Sequence, residues 1–163
     1  MPPLTEAAFG DFYRRDARAL WTYAYRVTGS TADADDIVQE AFVRVLRADV
    51  GGLGAEEMRR YAFRVAGNLL ADRWRRTSRE RRFIAREAAA GDRERTTDAV
   101  AGLDVTRTFT ALTPRERALL WLAYVEEGTH EEIAVALGLK RGSVKVLLSR
   151  ARARLRALLK RTP

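Results

Sequence analysis

Two arginine-rich stretches hold the residues best suited to chemistry, and the chemistry they suit is recognition rather than bond-making. In RYAFRVAGNLLADRWRRTSRERR, residues 60–82, Asn68, Asp72, Arg75 and Arg76 recur at three- and four-residue spacing, which gathers them on one side of a helix; Arg73 lies in the same run. Guanidinium groups grip phosphates, Asn and Asp can hydrogen-bond the edge of an unpaired base, and aromatic rings can stack on one. In KRGSVKVLLSRARARL, residues 140–155, Lys140, Arg141, Ser143, Lys145 and Arg150 fall outside the apolar positions of a helix, where they can meet phosphates or guanine edges. A third stretch has the opposite sign. DADDIVQE, residues 33–40, carries Asp35, Asp36, Gln39 and Glu40. Carboxylates in a first helical turn complement the helix dipole, and that explains the aspartates. It does not explain Gln39 and Glu40, which extend the polar face and suit docking onto a basic protein surface. Each stretch also has a plainer reading, as the solvated side of a packed helix.

Nothing in the chain asks for catalysis. His130 is the only histidine and there is no cysteine, so neither a thiolate metal site nor a disulfide framework is available. His130 sits where a short helix begins and reads as a surface residue at that helix start. No phosphate-binding glycine loop and no nucleophile elbow is present, and no metal and no cofactor is expected. The 163 residues carry 30 Lys+Arg against 22 Asp+Glu, a net charge of +8, with pI near 10.5. Such a chain seeks an anionic partner, nucleic acid or a membrane surface. No apolar run approaches the roughly 18 residues of a membrane span, which argues against membrane insertion. The stretch MPPLTEAAFGDF lacks the basic and apolar parts of a secretion signal, so a cytoplasmic place is expected.

The charge is segregated. Residues 44–86 carry 12 basic and 5 acidic side chains, and residues 140–163 carry 9 basic and none acidic. The segments 1–43, 87–106 and 107–139 are each net negative, at −3, −3 and −2. Two cationic surfaces and at least one acidic surface are implied.

These faces need helices to hold them, and the periodicity is helical throughout, giving an all-α fold. A first helix is expected from about Thr5 to Val27. Ser30 or Thr31 caps a second, whose first turn holds Asp33, Asp35 and Asp36 and whose buried stripe is Ile37, Val38, Ala41, Phe42 and Val45. Gly51-Gly52-Leu53-Gly54 reads as a flexible loop. A third helix spans about Ala55 to Arg82, with Met58, Tyr61, Ala62, Val65, Leu69 and Trp74 inward. Residues 87–103 are poor in large apolar groups and read as a flexible linker, which divides the chain into two small helical domains, 1–86 and 104–163. In the second domain TPRE at 113–116 and THEE at 129–132 are capping boxes, the first with proline at the opening helical position. A short helix, a turn at Gly138-Leu139 and a long arginine-rich helix with Val144, Leu147, Leu148, Ala151, Leu155 and Leu158 inward make a helix-turn-helix, whose second helix enters the DNA major groove.

Taken together, these segments resemble the bacterial RNA polymerase sigma factors of the extracytoplasmic-function (ECF) group, in the sigma-70 family. DADDIVQEAFVRVL is similar to that group's polymerase-docking helix. YAFRVAGNLLADRWRR resembles the segment that binds and helps melt the −10 element, and residues 112–159 resemble the domain that binds the −35 element and the polymerase flap. The likeness runs over roughly residues 9–160 in the family's order. It implies that Asp35, Asp36, Gln39 and Glu40 dock on the polymerase core. It likewise puts Asn68, Asp72, Arg73, Arg75 and Arg76 at the single-stranded −10 element, and Lys140, Arg141, Ser143, Lys145 and Arg150 at the double-stranded −35 element. The loop at Asp49–Glu56 matches the place where the family captures a flipped promoter base, and an anti-sigma factor is an implied partner. Three departures stand out: Tyr61 takes the place of a usual Trp, Gly67 that of a larger residue, and Lys140 that of a capping Ser.

Two other classes fit part of the chain. A LuxR-like regulator would share the C-terminal helix-turn-helix but would open with alternating strands and helices, which residues 1–86 do not show. A sigma mimic that sequesters an anti-sigma factor would have no use for the arginines of 73–82 and 141–156.

Overall fold

A computed structural model of the chain describes residues 2–87 and 104–161, and within them the fold is all-α. The linker expected at 87–103 lies, from residue 88 on, outside the described residues. The helices are α1 (Glu6–Thr28), α2 (Thr31–Arg47), α3 (Ala55–Glu87), α4 (Asp104–Thr110), α5 (Pro114–Tyr124), α6 (His130–Leu137) and α7 (Arg141–Arg161).

Local chemistry sets the helix ends. The Thr5 hydroxyl accepts from the Ala8 amide and starts α1, which stops at Gly29 in the left-handed region with φ 70°. Ser30 then caps α2 by accepting from the Asp33 amide. Both expected capping boxes form: Thr113 pairs with Glu116 at the start of α5, behind Pro114, and Thr129 pairs with Glu132 at the start of α6. Helix α5 stops at Tyr124, and the chain turns through Glu127 with φ 54° before Gly128.

Helices α1, α2 and α3 pack around Phe12, Leu20, Tyr23, Ile37, Val45 and Leu70, all nearly or fully buried. Phe9, Phe12 and Tyr13 surround the Phe42 ring at 5.2–6.0 Å and join α1 to α2. The stripe expected on α2 is the stripe found. The loop after α2 is held by burial of Val50 and by the Gly51 amide, which donates to the Pro2 carbonyl at 3.0 Å. In the second half, α5, α6 and α7 close over Leu119, Leu122, Ile133, Leu137, Val144 and Leu148. Helix α4, which periodicity did not reveal, packs on α7. The Arg117 side chain is buried and donates to the Thr110 carbonyl at 3.1 Å, closing the end of α4; burial lowers its pKa.

The two halves also meet. α3 packs along α6, and α1 contacts α5. As a result α3 is buried on two sides. Phe63, Ala66, Leu70 and Ala71 join Met58, Ala62 and Val65 in the interior, while Tyr61, Leu69 and Trp74, expected inward, are half-buried.

Candidate nucleic-acid interface

The acidic stretch lies on the outer side of α2. Asp35, Asp36, Gln39 and Glu40 are exposed, and the helix turns its apolar stripe away from them. Only Asp33 falls in the first turn, so the dipole explanation offered for Asp35 and Asp36 covers neither. Their surroundings are specific. The Trp21 indole, stacked on Tyr25, donates to Asp35 at 2.7 Å. Glu40 pairs with Arg44 at 3.0 Å, one helical turn on. Each of these carboxylates keeps much of its surface in water, so its charge is available to a partner.

The α3 face is less uniform than its spacing suggested. Arg75 pairs with Asp72 at 3.3 Å, and Arg76 is exposed. Arg73 turns to the other side of the helix, where its guanidinium meets Asp33 at 2.9 Å and Asp36 at 3.8 Å. It is therefore not grouped with Arg75 and Arg76. Asn68 is half-buried, and what covers it is the second half of the molecule. Its amide nitrogen, oriented to donate, lies 2.8 Å from the Ala136 carbonyl and 3.0 Å from the Val135 carbonyl, near the C-terminal end of α6.

The α7 face is open. Lys140, Arg141, Lys145 and Arg150 are exposed, and Ser143 is half-exposed at the helix start, its amide donating to the Lys140 carbonyl at 2.9 Å. Among the described residues no carboxylate pairs with these four cations. Two other arginines of α7 behave differently: Arg154 reaches Glu116 at 3.1 Å and Arg152 reaches the Tyr124 hydroxyl at 2.9 Å. These two fasten α7 to α5, and the cations nearer the helix start stay exposed.

Sequence reasoning missed a fourth group, at the junction of the halves. Asp16 of α1 is almost fully buried and accepts from Arg15 and from Arg59 of α3, at 2.7 and 2.9 Å. Arg59 also grips Glu126, in the turn after α5, through Nε at 3.1 Å and Nη2 at 2.9 Å. Burial works to lower the Arg59 pKa, but the hydrogen bond to Asp16 and the charge of Glu126 outweigh it, so the guanidinium is held charged more firmly than usual. Tyr23 lies beneath this group, and burial, with Glu126 adding, pushes its hydroxyl pKa up. No sequence signal marked Asp16, because charged residues default to the surface in any pattern-based reading.

Two family models match the chain. The Sigma-70 region 2 model matches residues 12–80, and the Sigma-70, region 4 model matches residues 103–155. The ECF RNA polymerase sigma factor SigL of Mycobacterium tuberculosis is 33% identical over 139 residues, covering 82% of this chain and 78% of SigL. The chain belongs to the ECF group of the sigma-70 family. As a sigma factor it works with core RNA polymerase and promoter DNA to direct transcription initiation. Solved structures give the same fold. The sigma factor RpoE from Bartonella quintana, in complex with the anti-sigma factor NepR, matches with a TM-score of 0.66 at 20% identity, over 95% of this chain and 98% of that one. CnrH, in complex with the cytosolic domain of CnrY, matches with a TM-score of 0.63 at 28% identity, over 98% of this sigma factor and 92% of CnrH. Among the described residues no helix is long and apolar enough to cross a membrane, and no group of three or more His, Asp and Glu is placed to hold a metal ion.

Proposed function

We propose that this sigma factor divides its work among three surfaces. Asp35, Asp36, Gln39 and Glu40 on α2 dock on basic residues of the polymerase core. Asn68, Asp72, Arg75 and Arg76 on α3 bind the −10 element as a single strand and help to open it. Lys140, Arg141, Ser143, Lys145 and Arg150 on α7 bind the −35 duplex, with α7 as the reading helix. Arg73 belongs to the −10 group by its place in the run, and here its pairing with Asp33 and Asp36 makes it a link between α3 and the docking helix. The protein acts in the cytoplasm, carries no catalytic step of its own, and answers to an anti-sigma factor, as the complexes of RpoE and CnrH suggest.

The observation that carries this reading is the separation of charge by surface: four exposed polar and acidic side chains on one side of α2, and four exposed cations, Lys140 before α7 and Arg141, Lys145 and Arg150 along its first half, without an acidic partner among the described residues. A face of one sign gives affinity for a partner of the other and keeps like-charged partners away.

Transcription by core polymerase on a promoter library, with and without the protein, tests it. Promoter-specific initiation is expected with the protein present. Charge reversal at Asp35, Asp36 and Glu40 together abolishes it and leaves duplex DNA binding by α7 intact. Normal initiation by the triple variant would remove α2 as the docking element.

A further inference from the structure

Helix α7 buries Val144, Leu148 and Ala151 and exposes Arg141, Lys145 and Arg150. Among those exposed positions stands a side chain of another kind. Val146, the sixth residue of the helix, is 49% exposed. A valine there gains little from packing and is a poorer helix former than the lysine and arginines around it. Leu159, the other large apolar side chain exposed on α7, lines a cavity with Phe109, Trp121 and Leu155, which accounts for it. No such cavity accounts for Val146.

At 3.6 residues per turn, Gly142, Val146 and Ser149 align in one row opposite the three buried residues, with Lys145 to one side of the row and Arg150 to the other. All three members of the row are exposed. A Cβ at Gly142 would meet no atom within 4 Å among the described residues, so the glycine answers no need of its own chain. Its missing side chain leaves room for a partner to come against the backbone one turn before Val146. A helix-turn-helix lays this N-terminal half of its second helix in the major groove, facing base edges. The edges there carry donors, acceptors and a single kind of apolar group, the 5-methyl of thymine. A cation has no use for that methyl, and a branched aliphatic side chain does. Charge names the class of partner: residues 140–163 hold nine basic and no acidic side chains, which draws a duplex by its phosphates.

We propose that Val146 is a specificity residue of the −35 face: its side chain packs on the 5-methyl group of a thymine, beside the phosphates and base edges met by Lys145 and Arg150. The proposal rests on the −35 reading of α7 given above. It adds to that reading a position chosen for shape, where the cations supply affinity and hydrogen bonds.

The test uses core polymerase carrying the full chain and a promoter defined by the library transcription. Each thymine of the −35 element, on either strand, is replaced in turn by deoxyuridine, which removes the 5-methyl and leaves every hydrogen-bonding edge intact. Affinity is read by competition with labelled promoter. At one thymine the replacement weakens binding by the parent about threefold to fivefold, the effect of exposing one buried methyl. Val146→Ala binds the unmodified promoter more weakly by a similar factor and does not distinguish thymine from uracil at that place. Alanine favours the helix, and circular dichroism confirms unchanged helicity. Binding of core polymerase without promoter is the same for parent and variant. A −35 element without thymine overturns the proposal, as does a parent that accepts uracil at every position, or an equal loss on replacement in parent and variant. Weaker binding of core polymerase by Val146→Ala also overturns it, because the side chain then meets protein. If no base change in the −35 element alters binding, the reading by α7 fails and the proposal fails with it. If base changes matter and uracil is accepted as thymine, α7 still reads the duplex and the role of Val146 alone is lost.

Discussion

The outer faces of α3 and α7 are both dense in arginine, yet one lies partly against its own chain and the other is free. On α7, Arg141, Lys145 and Arg150 are exposed and without an acidic partner among the described residues, while Arg152 and Arg154 hold the helix to α5. On α3, the residues of a single basic run go three ways: Arg73 to the acidic start of α2, Arg75 to Asp72 and Gly138, and Asn68 to the carbonyls of α6. The difference teaches that a cluster of like charges in sequence marks a surface without saying who occupies it. Occupancy is decided by packing, and here by a glycine that brings another helix within reach.

Substitutions can break this contrast or sharpen it. The largest effect is expected from Leu148→Ala, which hollows the buried side of α7 and should cost about 2–5 kcal/mol in urea unfolding of the second half. Its weaker −35 binding would come from damaged structure and should be accompanied by reduced helicity. Replacing Lys145 and Arg150 by alanine should weaken −35 binding by about 1–3 kcal/mol for each base these side chains read, with no change in unfolding. An unchanged salt dependence and an unchanged sequence preference would remove α7 as the reader. Asn68→Ala takes two hydrogen bonds from the covered face and should loosen the packing of α3 on α6 by roughly 1 kcal/mol, read as a lengthened distance between labels on the two halves. The smallest effect is expected at Arg73→Ala: its pair with Asp33 is partly exposed and is worth less than about 1 kcal/mol in stability. Because Arg73 points away from Arg75, single-strand binding should change far less than it does for Arg75→Ala. Equal weakening in the two variants would put Arg73 back on the nucleic-acid face.

Much of the fold was legible because the signals were local. The stripe from Ile37 to Val45 repeats at helical spacing, and Thr113 and Thr129 each meet a glutamate three residues on, so α2, α5 and α6 could be placed from a few positions. Helix α4 could not, since seven residues, DVTRTFT, have too few apolar positions to set a period. The inward positions of α3 were half right for a physical reason. A stripe predicts burial against one neighbour, and α3 has two, so Phe63, Ala66, Leu70 and Ala71 are interior as well. The charged faces were legible as types and spacing. Their pairings were not: Arg59 finds Asp16 across 43 positions and Glu126 across 67, and no short-range pattern encodes such distances.

Gly67 sets how closely α6 can lie on α3. A methyl group at that position would strengthen α3 as a helix while spoiling its fit to α6, because its carbon would stand 2.8 Å from the Ala136 carbonyl oxygen.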